Sequence, residues 1–282
     1  MQSLKRVLSV TLPVLLVCLL WSRSPALAAD THPVKLFLLG GQSNMEGCGR
    51  SSELPDAYQT HPANVKIWDN RKQRWVTLGT DSTAIARNEL FGPEIAFGHR
   101  LSRAWPDHMI GIVKTAAGGT KLHTQWLPHK VMYRRFVLNL TNALSDLEQS
   151  NTAYGIAGML WMQGESDSET TEMANAYEEN LKSLVAEVRK QTKQDSFPFV
   201  MGRISSSLLK KTPWVFDHAR IVQRAQEAVA AQDERVFIIN TDDLSTLKDN
   251  THFDTQAQLA LGNAMADIMI KALQAKTSAP KK

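Results

Sequence analysis

The sequence predicts a three-layer α/β/α sandwich built on a mostly parallel, five-stranded sheet. Three observations carry that prediction. Five short apolar runs have strand length, and each is continuously hydrophobic, as strands buried on both faces are. Amphipathic segments at helical spacing separate and follow them. Strand, loop and helix therefore alternate about five times along one chain, with no internal repeat and no interdomain linker.

The elements follow in order. Residues 1–28 are set aside first: Lys5 and Arg6 form a positive start, residues 7–21 an apolar core, and Ala26-Leu27-Ala28 a cleavage site. That is the layout of a secretory signal peptide, whose core is shorter than the roughly 20 residues a membrane-spanning helix needs. Secretion or export to a periplasm is the expectation, with no membrane association after cleavage. Strands are predicted at 34–39, 109–114, 154–161, 197–201 and 236–240. Residues 65–68 and 75–78 flank Asp69-Asn70-Arg71-Lys72 and read as a small β-hairpin inserted at about 64–79, with Trp68 and Trp75 packing. Helices are predicted at 93–103, 133–149, 171–190, 215–231 and 255–275. In the third, Tyr177, Leu181, Leu184, Val185 and Val188 form one apolar stripe. The last is predicted to start in a capping box of Thr255 and Gln258. Residues 29–275 thus form a single domain, and 276–282 a short polar tail expected to be disordered.

Composition narrows the function. The chain has 32 Lys and Arg against 28 Asp and Glu. Lys5, Arg6 and Arg23 fall in the signal and no acidic residue does, so the mature chain carries 29 basic and 28 acidic residues. With no basic run interleaved with aromatics, nucleic acid is excluded as a partner. Roughly 250 residues suffice for one large core. Of the two cysteines, Cys18 lies in the signal and Cys48 stands alone in the mature chain, so no intrachain disulfide holds the fold.

In open parallel sheets ligands bind beyond the carboxyl ends of the strands, so the loops there are where chemistry is sought. After the first strand comes Gly40-Gly41-Gln42-Ser43-Asn44-Met45, in which two glycines free the backbone to present a serine. It lacks the Gly-Lys-Ser/Thr ending of a phosphate loop and the G-x-S-x-G elbow of the other large esterase fold. After the second comes Ala116-Ala117-Gly118-Gly119-Thr120, whose bare amides either stabilise an oxyanion or form an ordinary glycine turn. After the third comes Trp161-Met162-Gln163-Gly164-Glu165-Ser166-Asp167. Its glutamine is a second candidate oxyanion donor. Glu165 and Asp167 alternatively cap the next helix or hold a cation with Asp81 or Glu94, although no ligand spacing supports a metal. Asp249-Asn250-Thr251-His252 precedes the final helix, and an Asp three residues before a His on a turn lets the carboxylate orient the ring.

The order of these blocks resembles that of the SGNH (GDSL-like) hydrolases. Gly41-Gln42-Ser43-Asn44-Met45, Phe91-Gly92-Pro93-Glu94, Ala117-Gly118-Gly119-Thr120, the 161–167 block and Asp249-Asn250-Thr251-His252-Phe253 resemble the sialate O-acetylesterase-like family, to which the acetylxylan esterases of carbohydrate esterase family six are related. The resemblance spans about residues 34–270. It implies the SGNH fold, an acetylated-carbohydrate substrate such as sialic acid or xylan, and a Ser-His-Asp acyl-enzyme mechanism without cofactor or metal. Ser43 would be the nucleophile, His252 the base and Asp249 its orienting acid. The oxyanion hole would comprise the Ser43 amide, a Gly118 or Gly119 amide and the Gln163 side chain, with Glu165 behind them. Asn44, Lys121, Trp126 and Arg203 are candidate substrate contacts. A lipase or thioesterase on the same scaffold, or a non-catalytic carbohydrate-binding protein, are the competing readings.

Overall fold

The computed structural model describes residues 32–82, 89–210 and 215–278, so the segment expected to be a signal peptide and the last four residues lie outside it. Strands β1 (Val34–Gly41), β2 (Gly49–Arg50), β3 (Val65–Asp69), β4 (Arg74–Thr77), β5 (Leu90–Phe91), β6 (Ile110–Ala116), β7 (Tyr154–Met162), β8 (Phe199–Gly202) and β9 (Val236–Ile239) alternate with six helices. These are α1 (Ser43–Glu46), α2 (Glu94–Ala104), α3 (Val131–Gln149), α4 (Thr171–Thr192), α5 (Ala219–Gln232) and α6 (Thr255–Ser278). All five predicted strands form. So do the five long helices, although α5 starts at Ala219 rather than 215, and α6 runs on through Ser278 into the segment expected to be disordered.

The sheet has seven strands rather than five, in the order β4-β3-β6-β1-β7-β8-β9. The predicted hairpin supplies the two extra. It pairs Trp68 with Trp75 across β3 and β4, and Asp69 closes its turn by accepting the Arg71 and Lys72 amides at 2.9 and 3.0 Å. It extends the main sheet, because β3 runs parallel to β6 with Ile67 opposite Ile112. Such pairing with a strand some forty residues later is a long-range choice that local patterning does not encode. Trp68 is buried and meets Trp75 edge-on, so both pack as expected.

Strand β1 is the centre. Leu36, Phe37, Leu38 and Leu39 are wholly buried, and burial of each such side chain stabilises the fold by roughly 1.5–3 kcal/mol. From β1 the chain moves one way in the sheet to β6, then crosses back over it to β7, β8 and β9. Right-handed crossovers therefore place α2 on one face and α3, α4 and α5 on the other. The packing agrees: α2 lies against α6, and α4 against α5. The reversal makes the carboxyl end of β1 a topological switch point, where a crevice opens.

The start of α6 differs from expectation. Asp254 caps it, its carboxylate accepting the Ala257 amide at 3.0 Å. Thr255 bonds the Arg50 amide and Glu53 instead, because it is the first helical residue and not the one before.

Candidate active site

Three loops meet at the switch point because three strands end in register there: Gly41 lies opposite Ala116 of β6 and Met162 of β7. At Gly41, φ is +152°, and a Cβ would stand 2.1 Å from the Met162 carbonyl oxygen. Only glycine fits so close an approach in that conformation. The chain then turns into α1, with the Gln42 carbonyl accepting the Met45 and Glu46 amides at 2.9 and 2.7 Å. This short helix, not predicted from sequence, presents Ser43 at its first position, 9% exposed. Amides at that position have no partner within the helix.

Two buried polar groups fix the turn. Gln42 accepts from the Gln163 side chain at 3.1 Å and from the Gly164 and Ser166 amides, both at 3.3 Å, tying the β1 loop to the β7 loop. Lys114 on β6 donates to the Glu46 carbonyl at 2.8 Å and to Glu94 at 2.6 Å. Glu94 in turn accepts the Gly92 amide at 3.0 Å. Lys114 and Glu94 are both buried, so the Phe-Gly-Pro-Glu block supplies the counter-ion of the lysine that holds α1. Removing either partner would strand a buried charge, at a cost of about 3–5 kcal/mol.

His252 sits on the loop between β9 and α6. The Asp249 carboxylate meets its ring Nδ1 at 2.6 Å and accepts its amide at 2.9 Å. Partial burial alone would raise Asp249, but the His252 amide and ring together with the Thr251 amide hold its carboxyl below the usual aspartate range. Asn250 between them adopts φ +54°, and the His252 carbonyl accepts the Leu247 amide at 2.7 Å.

Ser43, His252, Gly118 and Gly119 line one cavity of about 470 Å³. Gly119 has φ +70° with open space on its Cβ side, whereas a Cβ on Gly118 would lie 3.6 Å from that of Ser43. The structure thus brings the predicted serine, the Asp-His pair and the glycine turn to one place. The Gly118 amide is committed: it donates to Glu46 Oε2 at 2.7 Å.

Other expected site residues lie elsewhere. Gln163 is wholly buried and is absent from the residues that line this cavity. Its amide nitrogen faces Gln42, the Thr120 carbonyl and Asp167 at 3.1, 3.0 and 2.7 Å, and its oxygen accepts from Tyr177 at 3.0 Å. Two amide protons facing three acceptors leave none for an oxyanion. Trp126 is a core residue, its indole donating to Thr120 at 3.0 Å and its ring set edge-on to Trp161. Lys121 pairs with Glu169 at 2.8 Å, and Arg203 with Asp242 and Glu227. Asn44 is 1% exposed, and its side chain bonds Glu165, Thr251 and Phe253. None of the four lines the cavity that holds Ser43.

The carboxylates considered for a cation are likewise dispersed. Glu94 holds Lys114. Asp167 accepts the Leu122 and His123 amides at 2.7 and 2.9 Å, which fixes the wide helical turn Leu122–Trp126. Glu165 is buried behind the site, and desolvation pushes its carboxyl up. Sequence reasoning missed Glu46, Gly47, Arg50, Leu90 and Leu247, which with Cys48 complete the cavity wall. The one available signal was Glu46, three residues from Ser43 and hence on its face of a helix.

The profile of a carbohydrate esterase family described as sialic acid-specific acetylesterase matches residues 33–271. A probable carbohydrate esterase of Arabidopsis thaliana is 25% identical over 268 residues, covering 86% of this chain and 92% of that one. Among solved structures, a protein from Arabidopsis thaliana aligns with a TM-score of 0.73 at 23% identity, over 86% of this chain and 100% of the other. NanS gives 0.64 at 16% identity, over 88% and 99%. A carbohydrate acetylesterase from Xanthomonas citri gives 0.62 at 18% identity, over 86% and 57%. These structural likenesses are a shared fold.

Proposed function

The chain belongs to the sialic acid-specific acetylesterase family of carbohydrate esterases, and on that premise we propose that it removes O-acetyl groups from sugars through an acyl-enzyme on Ser43. The observation that carries the mechanism is that His252, held by Asp249 at 2.6 Å, lines the same cavity as Ser43. With Nδ1 of His252 held by the carboxylate, Nε2 is left to take a proton. His252 removes the Ser43 Oγ proton as Oγ attacks the acetyl carbonyl carbon. The tetrahedral oxyanion is received by the Ser43 and Gly119 amides, and the sugar oxygen departs with the proton from His252. A water then gives its proton to His252 and attacks the acetyl carbonyl. Acetate leaves, and Oγ recovers its proton.

Acetylated sialic acids are the substrates the family description favours, with acetylated polysaccharides such as xylan as the second class. Glu46 and Arg50 on the cavity wall suit a polar sugar and a short acyl group better than a long alkyl chain. Export is supported by the Lys5-Arg6 start, the apolar 7–21 segment and Ala26-Leu27-Ala28. The test is acetate release from 4-nitrophenyl acetate and from acetylated sugars, with folded Ser43→Ala alongside. Turnover by the wild type and silence of the variant are expected; equal activity of the two would remove Ser43 from its role.

A further inference from the structure

We propose that Asn44 is a positioning residue that sets the distance between nucleophile and base by clamping the backbone on both sides of His252. The inference rests on the Ser43–His252 reading above. Asn44 follows Ser43 directly, is 1% exposed, and reaches more than two hundred residues along the chain. Its Oδ1 accepts the Phe253 amide at 2.9 Å, and its Nδ2 donates to the Thr251 carbonyl at 3.0 Å and to Glu165 Oε1 at 2.7 Å. Thr251 and Phe253 are the residues either side of His252.

The chemistry fixes which way the amide points. A backbone N–H can only donate and a backbone carbonyl can only accept, so Oδ1 must face Phe253 and Nδ2 must face Thr251. No other short side chain offers an acceptor and two donors in that plane. Asp249 orients the ring of His252 within its own loop, but nothing in that pair refers to Ser43. Asn44 supplies the reference, since its backbone is continuous with the nucleophile. Glu165 holds the third corner of the amide and stops it rotating. It is itself enclosed, and its other oxygen has no hydrogen-bond partner among the described residues.

The experiment compares Asn44→Ala, Asn44→Asp and Ser43→Ala with wild type on 4-nitrophenyl acetate, with circular dichroism to check folding. A displacement of about 1 Å at a reacting pair costs on the order of 10²-fold, so Asn44→Ala is expected to lose about that factor in kcat with KM within about threefold. Asn44→Asp keeps the acceptor for Phe253 and loses both donors. Its carboxyl regains one donor when protonated, and enclosure beside Glu165 raises such a carboxyl above the ordinary aspartate range, so its activity relative to wild type is expected to rise as pH falls from about 8 to about 5.5. The titratable groups facing position 44 are Glu165 after β7 and His252 and Asp249 on the base loop, with Asp167 beyond Glu165. Wild type shares all of them, so the ratio isolates the new carboxyl.

A role confined to stability would lower the melting temperature and leave that ratio flat. A folded Asn44→Ala with kcat within about threefold of wild type would overturn the proposal, as would a flat ratio for Asn44→Asp. If Asn44→Ala does not fold, the Asn44→Asp ratio decides alone. Ser43→Ala separates the two levels: an active Ser43→Ala sinks the nucleophile assignment, whereas a silent one beside an unimpaired Asn44→Ala sinks only the clamp.

Discussion

Asp249 grips His252 twice, once at the ring and once at the backbone: one carboxylate oxygen lies 2.6 Å from Nδ1 and the other accepts the His252 amide at 2.9 Å. The first contact selects the tautomer with Nε2 unprotonated, and the second fixes where the loop presents it. Both come from a single side chain three residues away, so the pair is a local structure carried by one turn.

Replacing Asp249 with Asn keeps the shape but offers an N–H to the ring and so favours the wrong tautomer. A fall in kcat of about 10³–10⁴-fold is expected, with the fold intact. The pH dependence has a definite sign. An acid whose folded pKa is depressed contributes stability above its unfolded pKa, and that contribution is lost as pH falls through the folded value. Since Asp249 is held below its ordinary 3.8, the stability gap between wild type and Asp249→Asn should be open at neutral pH and close only below about pH 4. Thermal melts of both proteins from neutral to acid pH check this; a gap that persists at the acid end would contradict it.

Gln163→Ala is expected to act mainly on stability. It removes one hydrogen bond each from Asp167, Gln42 and Tyr177, all of which keep a backbone partner, and each lost bond costs about 0.5–1.5 kcal/mol. A net loss near 2–3 kcal/mol lowers the melting temperature of a domain this size by about 5–10 °C. Unchanged melting with a hundredfold loss of kcat would instead return Gln163 to the oxyanion hole.

Glu165→Gln removes a buried carboxyl that desolvation pushes above its ordinary 4.5. For an acid with a raised folded pKa the sign is reversed: the folded state holds a proton the unfolded chain gives up, so wild-type stability declines as pH rises above about 4.5. The uncharged variant lacks that slope while keeping an acceptor for Asn44. Its stability relative to wild type should therefore increase from about pH 4.5 towards pH 8, as read by denaturant midpoints; a constant or shrinking difference would refute this.

Arg50 lines the cavity, whereas Arg203 is paired with Asp242 and Glu227. Arg50→Ala is expected to raise KM for an acetylated glycan by about tenfold, the value of roughly one charged hydrogen bond. Its kinetics on 4-nitrophenyl acetate should stay near wild type. Arg203→Ala should leave both KM values within about twofold and cost less than about 1 kcal/mol of stability. Steady-state kinetics on the two substrates distinguishes these outcomes.

Much of this was legible in the chain itself, because it was encoded locally. The core strands are short continuous apolar runs, the stripe from Tyr177 to Val188 has helical period, and the spacing of Asp249 and His252 brings them together on one turn whatever surrounds them. The rule that loops at strand ends converge singled out the loops of Ser43, Gly118 and Gly119, and the family resemblance gave those residues their expected roles. What only the tertiary structure decided was the partner of each polar group. Trp126, Lys121 and Arg203 fall on loops near the site in sequence, yet they are consumed by the core and by ion pairs with Glu169, Asp242 and Glu227. Gln163 and Asn44 each carry donors and an acceptor that any of several neighbours could have taken. Packing gave them to Tyr177 and Asp167 in one case, and to Thr251, Phe253 and Glu165 in the other. A sequence states which hydrogen-bonding groups exist. Which ones face each other is settled when the hydrophobic layers close and every buried donor must find an acceptor within about 3 Å.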